Sequence, residues 1–163
     1  MSNAPQRTQL GQRQHRGSAG PVVLTVLVAL QAVSGIAGGA VLVIDPSGGI
    51  LGMPVSVLRY GPFKDFLIPG WILLLVLGVL PAVAAAALWA RPRFGAAAPL
   101  ERIFGEHWSW IAAGVVGVGL LLWLAVELWM VGPSSLLVAY AALAAAILVT
   151  AMLPGTRRSY RVG

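Results

Sequence analysis

Five carboxylates are all the acids this 163-residue chain carries, and one of them, Glu127, falls inside a long apolar stretch. A charge in such a stretch is rare, and is usually paired or functional. Glu127 stands four residues before Val131, at the end of its stretch, which helical rise converts to about 6 Å of depth. Helical spacing aligns it with Ala113, Val116, Leu120 and Leu124, with Trp123 beside it. If the next apolar stretch folds back as a hairpin about Pro133, Tyr140 reaches the same depth, and its hydroxyl can donate to the carboxylate. Arg59 or Lys64, reaching in from the preceding loop, would satisfy it as well. Three roles fit: a Glu that ties a loop to the helices, a contact for a ligand headgroup, or a proton or cation relay. The relay lacks a second, deeper acid.

Gln31, Ser34, Gly35 and Gly38 form a second set, on one stripe of the first apolar stretch. Gly35 and Gly39 are four apart, a spacing that lets helix backbones approach while polar neighbours bond across the contact. The stripe reads as a packing face, or else as a cavity wall opposite Pro81. Nothing resembles a catalytic constellation: HExxH, paired intramembrane aspartates, GxSxG and a phosphate-cradling glycine loop are all missing. Cysteine is absent, and the two histidines, His15 and His107, are far apart in the chain. Disulfide frameworks, thiol chemistry and ordinary zinc sites are thereby excluded, and no cofactor is expected.

The elements that must carry these residues are set by composition. The AVILMFWYC set makes up 58% of residues and charged residues only 10%, and the mean hydropathy is +0.86. A water-soluble domain has roughly a quarter charged residues, so this chain needs lipid as its solvent. A span takes about 20 apolar helical residues, and four stretches qualify: 21–44, 66–90, 108–131 and 135–153. In hydrocarbon every backbone N–H and C=O needs an internal partner, so these are helices. The expected fold is all-α, a four-helix transmembrane bundle.

Orientation follows from the basic residues. Arg7, Arg13 and Arg16 precede the first span; Arg91, Arg93 and Arg102 lie in the middle loop, 91–107; Arg157, Arg158 and Arg161 follow the last span. Only Arg59 and Lys64 fall on the other side. Both termini are therefore expected in the cytoplasm, and the protein in the plasma (inner) membrane. The same arginines account for the high isoelectric point, so nucleic acid is not an expected partner. The basic start, apolar run and small residues at Ala37–Ala40 also resemble a secretory signal peptide. Its cleavage would leave three spans with the same orientation.

Residues 1–20 have almost nothing apolar to bury and read as a disordered basic tail; 154–163 read as a second basic cytoplasmic tail. The outer loop, 45–65, opens with turn chemistry at Asp45-Pro46-Ser47-Gly48-Gly49. It continues with an apolar run in which Pro54 suits the first turn of a short helix reaching about Tyr60. That helix would lie on the membrane surface or over the outer mouth of the bundle, as a structural lid or as a docking surface for lipid or a partner. Asp65 favours the start of the second helix, where Pro69 is tolerated. Pro81 falls mid-span, removes the bond to the Leu77 carbonyl and predicts a kink. In the middle loop Leu100, Ile103 and Phe104 share a face, which suits a short interfacial helix. Trp71, Trp89, Trp108, Trp110 and Trp129 sit near span ends, as in an aromatic belt.

The run from Asp45 to Pro54, the segment Gly61-Pro62-Phe63-Lys64-Asp65-Phe66-Leu67-Ile68-Pro69-Gly70, Glu106-His107-Trp108 and Trp123-Leu124-Ala125-Val126-Glu127 resemble a group of small four-span membrane proteins from high-GC, actinobacterial-like bacteria. That group's function is unknown, so the resemblance implies the four-span architecture and no chemistry. A looser likeness to DoxX-like proteins rests on span count. The expected function is that of a structural or accessory membrane protein, binding lipid, a membrane partner or a second copy through its outer loop and small-residue faces. An oligomeric transporter with Glu127 near the pathway is the alternative. A membrane enzyme acting on a lipid or quinone comes third.

Overall fold

The computed structural model describes residues 19–58 and 61–162. The N-terminal tail as far as residue 18, Arg59 and Tyr60 lie outside the described residues. Six helices follow in order: α1 Gly20–Ile44, α2 Leu67–Ala90, α3 Ala98–Phe104, α4 Trp108–Met130, α5 Ser135–Met152 and α6 Pro154–Ser159. Four of them, α1, α2, α4 and α5, are long and apolar enough to cross a membrane. No strand occurs among the described residues, apart from a single antiparallel bridge between Glu106 and Arg161. The chain is an all-α four-helix bundle.

Each long helix starts and stops where local chemistry allows. Pro21 opens α1, in a turn where its missing N–H costs nothing. At the start of α2 the Asp65 carboxylate accepts the Leu67 N–H at 3.0 Å. Ser134 Oγ caps α5 by accepting from Leu137, and His107 Nδ1 caps α4 by accepting from Ser109. Arg91 ends α2 in the left-handed region, at φ 47°.

The expected disturbance at Pro81 is taken up by the helix itself. Residues Leu75–Val79 form one wider turn, in which the Leu80 N–H reaches back five residues to the Leu75 carbonyl. This wider turn lies just before Pro81, and α2 continues beyond it to Ala90.

Three apolar clusters fill the interior. At the end of the bundle nearest the chain termini, Leu24, Val28, Ala84, Leu88, Ala113, Val116, Ile147, Ala151 and Tyr160 pack together. Leu77, Leu120, Leu124 and Ala144 form the middle. At the other end, which holds the long loop, Leu42, Leu58, Phe66 and Met130 meet. The outward faces are covered with large apolar side chains, among them Val33, Val83, Trp89, Leu122, Val138 and Met152. A surface of that kind is stable against lipid and costly in water. The chain is an integral membrane protein.

Candidate functional site

Pro81 cannot donate a hydrogen bond, so the Leu77 carbonyl one turn earlier loses its helical partner. Gln31 of α1 replaces it, its Nε2 donating to the Leu77 oxygen at 3.1 Å. The amide can come that close because Gly35 and Gly39 leave no side chain between the helices. A Cβ at Gly35 would overlap the Leu77 carbonyl, and one at Gly39 the backbone of Leu74. Gly78 returns the favour from α2, since a Cβ there would lie 2.8 Å from the Ile36 nitrogen. Gly35 and Gly39 are therefore packed against α2, while Gln31, Ser34, Gly35 and Gly38 also line a cavity. Ser34, on the same stripe, turns its hydroxyl back to the Gln31 carbonyl at 2.9 Å.

Between this α1–α2 pair and the α4–α5 hairpin lies a cavity of about 190 Å³. Gln31, Ser34 and Leu77 form its inner end, Leu73, Leu120, Trp123 and Leu124 its walls, and Glu127, Tyr140, Met130 and Leu136 the part toward the loop. Its lining is apolar apart from Gln31, Ser34, Glu127, the Tyr140 hydroxyl and the indole of Trp123. Below the inner end lies the first apolar cluster, with Leu24, Val28, Ala113 and Ile147 at zero exposure.

The long loop closes the wide end. Asp45 organises its first turn: Oδ1 accepts from the Ser47 hydroxyl and N–H, and Oδ2 from the Ile50 N–H at 2.7 Å. The Ser47 hydroxyl, and then the Ile50 N–H, hold the Asp45 carboxyl below the usual carboxylate range. Gly48, at φ 75°, lets the turn double back, and the Phe66 N–H then bonds the Pro46 carbonyl at 2.9 Å. The short helix expected from Pro54 is a single 3₁₀ turn, Val55–Leu58. It drives Leu58 into the bundle against Leu42, Phe66 and Met130. Leu51, Met53 and Leu58 thus face the cavity.

Of the polar residues singled out in the sequence, Gln31, Ser34, Trp123, Glu127 and Tyr140 all line this one cavity. Glu127 and Tyr140 share it without a hydrogen bond between them, and Lys64 is exposed in the loop. Arg59 lies outside the described residues. Glu127 forms no salt bridge among the described residues.

A different polar assembly, at the opposite end of the bundle, is not evident from sequence spacing. Helix α6 and residues 160–162 fold onto the bundle. Glu106, almost fully buried, accepts from Arg157 Nε at 2.6 Å. The His107 N–H bonds the Tyr160 carbonyl at 2.6 Å, and the Val162 N–H the Gly105 carbonyl at 3.1 Å. Arg91 donates to the Ser159 carbonyl, and its guanidinium lies 4.5 Å from the centre of the Tyr160 ring. Trp110 reaches across from α4 to the Ala151 carbonyl, and Trp108 to that of Pro92. Two of the arginines counted as topology signals, and two of the belt tryptophans, thus hold the C-terminal segment and the middle loop in place. Tyr160 and Thr156, fully enclosed within a basic stretch, are the sequence signal for this clamp. No three acid or histidine side chains among the described residues converge on a metal site.

No family model, curated protein or solved structure matches this chain.

Proposed function

We propose that this chain is an accessory protein of the bacterial inner membrane that binds a small amphipathic molecule or the end of a lipid between its helices. One observation carries the reading: an apolar cavity of about 190 Å³, flanked by two helix pairs and covered by an apolar loop. An apolar hole of about 150 Å³ already suffices to hold an aromatic ring, so this volume takes a compact ligand or part of a chain. Access from the bilayer requires no water-filled route, because the exposed Leu51 and Leu136 form part of the lining. The arginine distribution supports both termini in the cytoplasm, which puts the loop and the cavity in the outer leaflet.

Transport and catalysis receive less support. Among the described residues the cavity's lining ends at Gln31, and the side chains beyond it toward the other end of the bundle form a packed apolar cluster. Among the described residues Glu127 is the only acid that lines it, with no histidine or second carboxylate beside it to share a proton. The decisive experiment is purification in mild detergent followed by native mass spectrometry. A bound lipid or small amphiphile is expected on the wild type, and should be depleted when Leu58→Asp opens the lid. Wild-type protein free of adducts, with vesicles showing Glu127-dependent solute flux, would overturn this reading in favour of a transporter.

A further inference from the structure

The inner end of the cavity is chemically one-sided. Gln31 is 1% exposed, and the carbonyl freed by Pro81 fixes its amide orientation, since only Nε2 can donate to the Leu77 oxygen. Its other terminal atom, Oε1, is buried and accepts no hydrogen bond from the described residues. An orphaned amide oxygen at this depth carries a desolvation cost, because no backbone or side-chain donor of the described residues reaches it. Ser34 sharpens the asymmetry. Its hydroxyl proton is committed to the Gln31 carbonyl, so what it presents to a neighbour is lone pairs. Toward the loop the character changes, with the Tyr140 hydroxyl available as a donor and Glu127 as an acceptor.

We infer that the cavity selects a ligand with a hydroxyl or N–H donor at its inner end and an apolar body, the donor being received by Gln31 Oε1. The inference rests on the binding function proposed above and narrows its ligand. A plain acyl chain would put a methyl group against Oε1 and leave the oxygen unpaired; an alcohol of the same length satisfies it. Discrimination of this kind is strong because the site's own buried group is left without a partner when the wrong ligand enters. The same Gln31 amide would then serve two ends, holding α2 with its nitrogen and the ligand with its oxygen.

The test compares two isomers that differ only in the donor. Protein in lipid nanodiscs is loaded with n-octyl bromide, whose bromine quenches Trp123 on the cavity wall; a Trp123→Phe control isolates that signal. Recovery of fluorescence is then followed as n-octanol, or its isomer methyl heptyl ether, is added at matched membrane mole fraction. Octanol is expected to displace the bromide at about one-tenth the mole fraction the ether requires. Gln31→Met, which keeps the volume but removes the oxygen together with the bond to Leu77, should bring the two isomers together; should that variant not fold, the wild-type comparison decides alone. Equal displacement by both isomers would overturn the donor requirement and leave the binding cavity standing. Failure of the bromide to quench Trp123 at all would remove the binding function itself, and this inference with it.

Discussion

Gln31 on α1 donates to the Leu77 carbonyl on α2 at 3.1 Å, the carbonyl that Pro81 strips of its helical partner. A defect in one helix is thereby repaired by the side chain of another, and the repair sets how α1 and α2 are registered. Gly35 stands one turn from Gln31 and makes the approach close enough for the bond. The bond is buried, where the low local dielectric strengthens it.

Removing the amide should therefore cost stability as well as ligand selectivity. Gln31→Leu leaves the Leu77 carbonyl unpaired and is expected to destabilise the bundle by about 1–3 kcal/mol. Thermal unfolding in detergent, followed by circular dichroism, measures the loss. A melting temperature equal to the wild type would mean that the bond contributes nothing.

The glycines of the same stripe should respond unequally. Gly35→Ala forces a methyl group into the Leu77 carbonyl and should cost about 2 kcal/mol or more by driving α1 and α2 apart. Gly38→Ala meets only a Leu73 methyl at 3.6 Å, an ordinary contact, and should be neutral or slightly stabilising. The same unfolding assay ranks the pair, and the reverse order would contradict the packing described.

At the far end, the Glu106–Arg157 pair fastens the C-terminal segment. Arg157→Ala strands a buried carboxylate and should destabilise the clamp by about 2 kcal/mol, less than for a fully enclosed pair because half of the Arg157 side chain is exposed. Limited proteolysis provides the readout: cleavage after Arg158 or Arg161 should be faster in the variant than in the wild type. The double variant Glu106→Gln, Arg157→Ala should recover part of the protection.

Loop closure should depend on pH in one direction only. The Asp45 carboxyl sits below its ordinary value of 3.8 because its charged form accepts from Ser47 and Ile50. Its contribution to loop order is complete above that ordinary value and fades as the pH falls through the lowered one. The Ile50 amide resonance should hold steady from neutral pH down to the ordinary Asp value and move only in more acidic solution. In Asp45→Asn it should be displaced at every pH; a wild-type resonance that shifts near neutrality would refute the assignment.

Much of this protein is legible before folding is considered. Uncharged runs of span length can satisfy their backbones in hydrocarbon only as helices, so the number and approximate extent of the spans are properties of composition and length. The loss of the Leu77 hydrogen bond is written in Pro81, and the small-residue stripe in Gly35 and Gly39. Partners across the bundle are another matter. Which side chain meets the freed carbonyl, which loop residue plugs the cavity, and whether Arg157 faces solvent or Glu106 depend on contacts between residues far apart in sequence, as with Gln31 and Leu77. Helical periodicity places a residue on a face but carries no information about what that face meets. The cavity lies between two helix pairs that meet on an apolar core at one end and pack against loop residues at the other. Only tertiary packing decides that.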